Sequence, residues 1–245
     1  MSLNLTIDQG NTAAKLALWD GDRAVAMRIE PHLEVDQVER FVRQHDTLGS
    51  AIYCSVASKG TELLQGIRHL VPKVCRLDHT TPLPIVIDYA TPHTLGTDRI
   101  AAAVGAWATL PGVPLLVVDA GTAVTYDAVS ADGHFLGGNI APGMRMRLEA
   151  LHRYTARLPR VEVPRELRCT RFMGNDTPSA MILGAVYGIV GAISYYRHRM
   201  DPATQVVMTG GWAGELSKLC DFDVHVDPNL VSKGLNRILL YNEDK

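Results

Sequence analysis

The sequence predicts an α/β layer fold built as two similar halves. Three observations carry that prediction. Apolar runs with strand character alternate with segments of helical spacing. An Asp-x-Gly turn between two apolar strands occurs twice, at Asp8-Gln9-Gly10 and at Asp119-Ala120-Gly121. A Pro111-Gly112 step separates the two similar beginnings. Mixed alternation of this kind belongs to sheets covered by helices. With 245 residues the chain is long enough for one large domain or two of ordinary size.

The elements follow in order. Leu3–Asp8, Ala14–Trp19 and Ala24–Ile29 read as three successive strands. Val35–Gln44 and Thr61–Leu70 have helical spacing, with Val38, Phe41 and Val42 at i, i+3 and i+4 in the first. Ala51–Ser55 and Val74–Leu77 read as strands. The proline-bearing segment Thr80–Pro92 brackets "PIVIDY", a connection or an edge strand. An alanine-rich helix, Thr97–Leu110, is ended by Pro111-Gly112. The expected domains are therefore 1–111 and 112–245, cut near Leu110–Val113. In the second, "PLLVVDAGTAVTYDAV" (114–129) is strand, turn and strand, and "DGHFLGGNIAPG" supplies another turn and a third strand. Helices are expected over Gly143–Arg153, Pro178–His198, Trp212–Leu219 and Asn229–Tyr241. A strand, Gln205–Met208, runs into Thr209-Gly210-Gly211.

Composition narrows the function. The chain is 47% hydrophobic and 20% charged with a formal net charge of -2, so the basic stripe of a nucleic-acid binder is missing. Its densest basic run, Arg145, Arg147, Arg153, Arg157 and Arg160, reads as a solvated helix face. No apolar stretch is expected to approach the ~18–20 residues of a membrane span. Met1-Ser2-Leu3-Asn4 lacks the basic start of a signal peptide. Cys54, Cys75, Cys169 and Cys220 form no Cys-x-x-Cys, as expected of thiols in a reducing cytoplasm. The histidines show no ligand spacing, and no transition-metal site is expected.

The duplicated turns are the most informative feature. Each offers a carboxylate, backbone N–H groups around a glycine, and hydroxyls alongside. The first adds Asn11 and Thr12, more polar groups than a hairpin requires. Such a turn forms an anion-binding concavity, and its carboxylate can hold Mg²⁺ directly or through water. Two of them would grip a polyphosphate from both sides, which is the positioning and charge neutralisation that phosphoryl transfer needs. For either copy alone, a plain turn is the competing reading. Lys15 either reaches a phosphate or faces solvent on its strand.

The pieces "DQGNTAAK" (8–15), "GTDR" (96–99), "DAGTAVTYD" (119–127), "GGNIAPG" (137–143), "TARLP" (155–159) and "NDTPSAMILGAVYG" (175–188) occur in one order. In that order the chain resembles the type III pantothenate kinases, of the acetate and sugar kinase/Hsp70/actin superfamily, over about residues 4 to 242. The resemblance implies two ribonuclease-H-like domains of the actin-like ATPase superfamily with the active site in the cleft between them. It implies ATP-dependent phosphorylation of pantothenate to 4'-phosphopantothenate, the first step towards coenzyme A. By the same resemblance, Asp8, Gln9, Gly10, Asn11, Thr12, Ala13, Ala14 and Lys15 form the phosphate loop, with Asp8 near Mg²⁺. Thr122 is a second ATP contact. Gly96, Thr97, Asp98 and Arg99 bind pantothenate, with Asp98 as the catalytic base. Asp119 binds a monovalent cation, K⁺ or NH₄⁺. Thr177 reaches pantothenate from the neighbouring subunit of a homodimer. A cytoplasmic enzyme without nucleic-acid or membrane partners is expected.

The implied roles suit the residue types. Arginine at position 99 offers bidentate recognition of a carboxylate, or stabilises charge near the transferring group. Asp98 can accept a hydroxyl proton as the P–O bond forms, with orientation of that hydroxyl its larger contribution. Thr97 or Asp98 capping the following helix is the alternative, compatible with ligand binding because helix N-termini suit anions. Thr209-Gly210-Gly211 is either the adenosine-side turn or a simple strand end. Gly184, Gly188 and Gly191 allow close helix approach, within one subunit or across a dimer. Three features depart from the family pattern: Gln9, where an apolar or small residue is commoner, the segment "GNDTPSAM", and a short N-terminal half. A non-catalytic regulatory factor on the same fold, or a sugar- or acetate-type kinase, remains the competing reading.

Overall fold

The computed structural model describes residues 2–45, 47–55, 60–164, 166–167 and 171–243; Cys169 lies outside them. The elements in chain order are β1 (Leu3–Gln9), β2 (Ala14–Asp20), β3 (Arg23–Glu30), α1 (Val35–Val42), β4 (Leu48–Ser55), α2 (Gly60–Ile67), β5 (Lys73–Arg76), β6 (Val86–Ile87) and α3 (Thr97–Thr109). Then follow β7 (Leu115–Ala120), β8 (Ala123–Val129), β9 (His134–Pro142), α4 (Met144–Arg153), α5 (Thr177–Arg199), β10 (Gln205–Thr209), α6 (Ala213–Ser217), β11 (Val224–Val226) and α7 (Leu230–Glu243). They gather into two compact units.

The first unit holds a five-stranded sheet in the order β3-β2-β1-β4-β5. Strands β1, β2 and β3 pair antiparallel, whereas β4 and β5 continue the sheet in parallel. The two-residue period of a strand sorts side chains onto two faces. Leu5 and Ile7 of β1 join Leu16, Leu18, Val38, Phe41 and Ile67 in a core beneath α1 and α2. Thr6 and Asp8 fall on the opposite face. Helix α1 begins where the Glu34 N–H donates to the Gln37 side chain at 2.8 Å, half of a capping box.

The last helix belongs to this first unit. The unit comprises Met1–Gly112, Asp132–Leu136 and Asn229–Lys245. The chain therefore changes unit near Gly112, as the Pro/Gly step suggests, but it also returns at residue 229 instead of staying in one continuous second half. The physical reason is the packing of α7 on α3. A methyl group on Gly234 would lie 1.8 Å from the Ala101 carbonyl oxygen, so the two helices meet at backbone contact. Strand β6 pairs in parallel with the start of β9, Val86 beside His134 and Ile87 beside Phe135.

The second unit, Val113–Ala131 and Gly137–Pro228, repeats the plan. Its strands lie in the order β11-β10-β7-β8-β9, the first unit's order with β7 in the place of β1. Strand β7 pairs antiparallel with β8 and parallel with β10, and β10 pairs parallel with β11. Leu116, Val118, Tyr126, Leu148, Val186, Ile189, Val206 and Met208 form its core.

Helix α5 corrects one expectation. Its 23 residues contain a window of mean hydropathy 1.5, long and apolar enough to cross a membrane. Gly184, Gly188 and Gly191 dilute that run and conceal its length in the sequence. Met181, Ala185, Val186, Ile189, Val190 and Ile193 are buried along one side, in the core of the unit. Core helices of soluble proteins share this length and composition. Ala180, Gly184, Gly188, Gly191 and Tyr195 are exposed on α5.

Candidate active site

In the first unit the site grows from the end of β1. Asp8 pairs with Lys15 across β2 and with Cys54 across β4. The Gly10 N–H donates to the Ala13 carbonyl at 3.1 Å and closes the turn. Gln9, Gly10, Asn11, Ala13 and Ala14 line one side of a cavity of ≈ 570 Å³. Gln9 has a specific reason to be an amide: its Oε1 accepts a hydrogen bond from the buried Tyr53 hydroxyl. Burial raises the pKa of Tyr53, and a hydrogen bond from Ser55 works against that rise.

The "GTDR" segment begins α3 on the Asp8 face of the sheet. Neither Thr97 nor Asp98 is the cap; that position is Gly96, and no side chain caps it. The Asp98 Oδ1 accepts from the Arg99 N–H at 2.9 Å. The carboxylate folds so closely over Gly96 that a Cβ there would lie 2.5 Å from Oδ1. Asp98 thus stands in the first turn, where the helix dipole favours a negative charge. The thiol of Cys54 donates to Thr97 Oγ1 at 3.1 Å, joining the strand beside Asp8 to the start of α3. Arg99 is only 5% exposed, its Cζ 5.8 Å from the Tyr89 ring centroid and 5.6 Å from that of Phe135. Both rings lie at cation–π distance from a buried guanidinium.

In the second unit the matching turn is tighter. The Gly121 N–H donates to the Ala123 carbonyl at 3.0 Å, and the Gly143 N–H to that of Thr122 at 3.1 Å. Asp119 pairs with Thr209 of β10. Gly210 has φ +91, and a Cβ on it would meet Asp119 Oδ1 at 2.5 Å and the Ala120 carbonyl oxygen at 2.7 Å. Only glycine fits there. The Thr209-Gly210-Gly211 turn is therefore part of the Asp119 turn, packed against its carboxylate. The Asp119 carboxylate and the Ala120 carbonyl thus lie side by side at Gly210, and both are oxygen donors of the type hard cations take.

Two further motifs have local explanations. Thr155 Oγ1 donates to the Leu151 carbonyl at 2.7 Å, and His152 Nδ1 lies 2.9 Å from the Leu158 carbonyl oxygen, so "TARLP" folds back on the end of α4. The unusual "GNDTPSAM" is a helix start. Asp176 caps α5, its Oδ1 accepting from the Ser179 N–H at 2.8 Å, while Ser179 Oγ accepts from the Asp176 N–H at 3.3 Å. Those bonds with Ser179 hold the Asp176 carboxyl below its usual range. Thr177 is the exposed first residue of α5. Among the arginines, Arg147 turns its Nε to the Pro142 carbonyl at 2.8 Å. Arg145, Arg153 and Arg160 line a cavity of ≈ 550 Å³ together with Glu149 and Glu162.

Within the first unit the structure brings together Asp8, Thr97 and Asp98; within the second, Asp119, Gly121, Thr122 and Gly210. Sequence reasoning passed over Cys54, Tyr53 and the Tyr89–Phe135 pair. Their signal is strand register between segments about forty residues apart, which a pattern along the chain does not display.

A five-strand order repeated in two units, each with an Asp-x-Gly turn after its first strand, is a duplicated α/β fold of the kind seen in actin-like ATPases and sugar kinases. Solved structures agree on the fold. A Campylobacter jejuni protein described as a Baf family transcriptional activator superposes with TM-score 0.65 at 24% identity, over 98% of this chain and 100% of that one. A ROK hexokinase from Thermus thermophilus does so with TM-score 0.54 at 13% identity, over 100% and 99%. The family model for type III pantothenate kinase matches residues 4–199. A type III pantothenate kinase from Bacteroides fragilis is 39% identical over 247 residues, covering 99% of this chain and 100% of the relative. The chain belongs to the type III pantothenate kinase family.

Proposed function

We infer that this protein is a kinase that transfers the γ-phosphoryl group of ATP to pantothenate, giving 4'-phosphopantothenate and ADP, the first step towards coenzyme A. Family membership supports the reaction. The observation that carries it to these residues is the placement of "GTDR" at the start of α3, joined through Cys54 to the strand of Asp8. The pantothenate hydroxyl attacks the γ-phosphorus, the bond to the β-phosphate oxygen breaks, and the hydroxyl proton passes to Asp98. Asp8 and the Gln9–Lys15 turn hold the phosphates, and Thr122 makes a second contact. Asp8 would hold Mg²⁺, which neutralises phosphate charge when bound. Asp119 would hold K⁺ or NH₄⁺, with the Ala120 carbonyl beside it.

Arg99 takes part through its fixed positive charge beside Asp98, and Gly96 leaves room for that carboxylate. Thr177 reaches the pantothenate pocket of a neighbouring subunit in a homodimer. Ile140, Tyr154, Phe172, Met173 and Tyr195 are large apolar side chains exposed in the second unit, which such an interface would cover. Each unit serves as one actin-like ATPase domain. The reading carries with it a cytoplasmic location and no nucleic-acid or membrane partner.

Purified protein with ATP, Mg²⁺ and K⁺ is expected to convert pantothenate, and Asp98→Asn to lower kcat by roughly 10²–10⁴-fold with an unchanged melting temperature. Turnover of a sugar with none of pantothenate would reject the assignment. Unfolding of Asp98→Asn would make Asp98 a structural residue.

A further inference from the structure

Cys54 is a buried nucleophile that the reaction above does not use. It is 1% exposed, sits on β4 directly across from Asp8, and donates to Thr97 Oγ1 at 3.1 Å. We infer that Cys54 is a positioning residue that sets the direction of the Thr97 hydroxyl at the start of α3. The inference rests on the reading that this helix start binds the acceptor substrate.

A hydroxyl oxygen that accepts from a thiol keeps its own proton to donate elsewhere. With its oxygen turned to Cys54, Thr97 offers that proton to an acceptor beside Asp98, and a substrate carboxylate or hydroxyl is such an acceptor. The polarity would reverse if the sulfur were a thiolate, because Thr97 would then donate to it. A cysteine buried on an apolar strand is a thiol at neutral pH, and its 3.1 Å contact with Thr97 Oγ1 is the donor geometry of one. A neutral, compact donor can stand between two carboxylates where a third charge could not. The competing role is packing alone, since a buried cysteine also behaves as a small hydrophobe.

The test is steady-state kinetics on the full chain with Cys54→Ala, Cys54→Ser, Thr97→Val and the Cys54→Ala/Thr97→Val double variant. Cys54→Ala is expected to raise KM for pantothenate about five-fold while KM for ATP stays within about two-fold. Cys54→Ser, which keeps a donor, should restore most of the loss. In the Thr97→Val background, Cys54→Ala should add nothing further, because the two residues act through one bond. If Cys54→Ala melts below the assay temperature, Cys54→Val fills the space without a donor and takes its place. Additive losses, or equal rises in both KM values, would leave Cys54 a packing residue and overturn the inference. Unchanged pantothenate kinetics in Thr97→Val and Asp98→Asn would instead reject the substrate assignment of α3 itself.

Discussion

Asp8 and Asp119 occupy matching places. Each is next to last in the first strand of its unit, and each pairs in parallel with the fourth strand, Asp8 with Cys54 and Asp119 with Thr209. What surrounds them differs. Beside Asp8, the fourth-strand residue is bonded onward to the first turn of a 13-residue helix that carries a second carboxylate, Asp98. Beside Asp119, the chain leaves the fourth strand through Gly210, whose missing side chain lets main-chain oxygen and carboxylate close on one small space. A single duplicated frame thus carries two different surroundings. One copy sets its carboxylate beside a thiol, a hydroxyl and a second carboxylate at a helix start; the other sets it against a carbonyl oxygen at a glycine turn.

Exchanging the carboxylates is the strongest way to break that comparison. Asp8→Asn is expected to lower kcat by about 100-fold or more and to shift the Mg²⁺ concentration required. Asp119→Asn should cost less and should chiefly erase the difference between K⁺ and Na⁺ in the assay. Identical cation profiles for the two variants would make the turns equivalent.

The glycines give a second, smaller contrast. An alanine at Gly210 needs φ +91 and puts its Cβ 2.5 Å from Asp119 Oδ1. The strain alone costs of order 1–3 kcal/mol, so a lower melting temperature and a higher KM for ATP are expected. An alanine at Gly10 meets only the Ala13 carbonyl oxygen, at 3.3 Å, and should be milder in both readouts. Equal effects would remove the distinction between an open turn and a filled one.

The smallest effect concerns the third strands. Strand β3 ends its sheet, whereas β9 is flanked by β6 and pinned where His134 Nδ1 meets Asp88 Oδ2 at 2.7 Å. That hydrogen bond to Asp88 is the main reason the pKa of His134 is raised above 6.5. A raised histidine stabilises the folded state fully below its unfolded pKa and loses that contribution as pH climbs through the folded one. The melting temperature should therefore fall slightly as pH rises from the unfolded value through the raised one, and His134→Gln should flatten the slope. An unchanged slope in that variant would assign the pH dependence elsewhere.

Much of the architecture was legible along the chain because it is written in local periodicity. The strand pairs flanking each Asp-x-Gly turn and the alanine-rich α3 are patterns within some fifteen residues, and the repeat is the recurrence of one such short pattern at Asp119. Three things were not. The partner of α7 is set by Gly105 and Gly234, and a small residue on a helix does not say which helix it approaches. The bonds Tyr53–Gln9 and Cys54–Thr97 depend on register between distant segments. The apolar length of α5 was broken up by glycines whose effect on mean hydropathy is slight. Within the candidate site, carboxylates and glycines announced themselves by spacing, while the residues that orient them did not.

The return of α7 to the first unit also orders events at the ribosome. The sheet β3-β2-β1-β4-β5 emerges before the second unit, yet the helix that covers α3 and touches β1 and β4 is synthesised after it. The second unit needs nothing beyond Pro228 and can close earlier. Until α7 emerges, the first unit exposes the backbone groove around Ala101 and Gly105, a surface on which a nascent chain is open to chaperones and to misassembly.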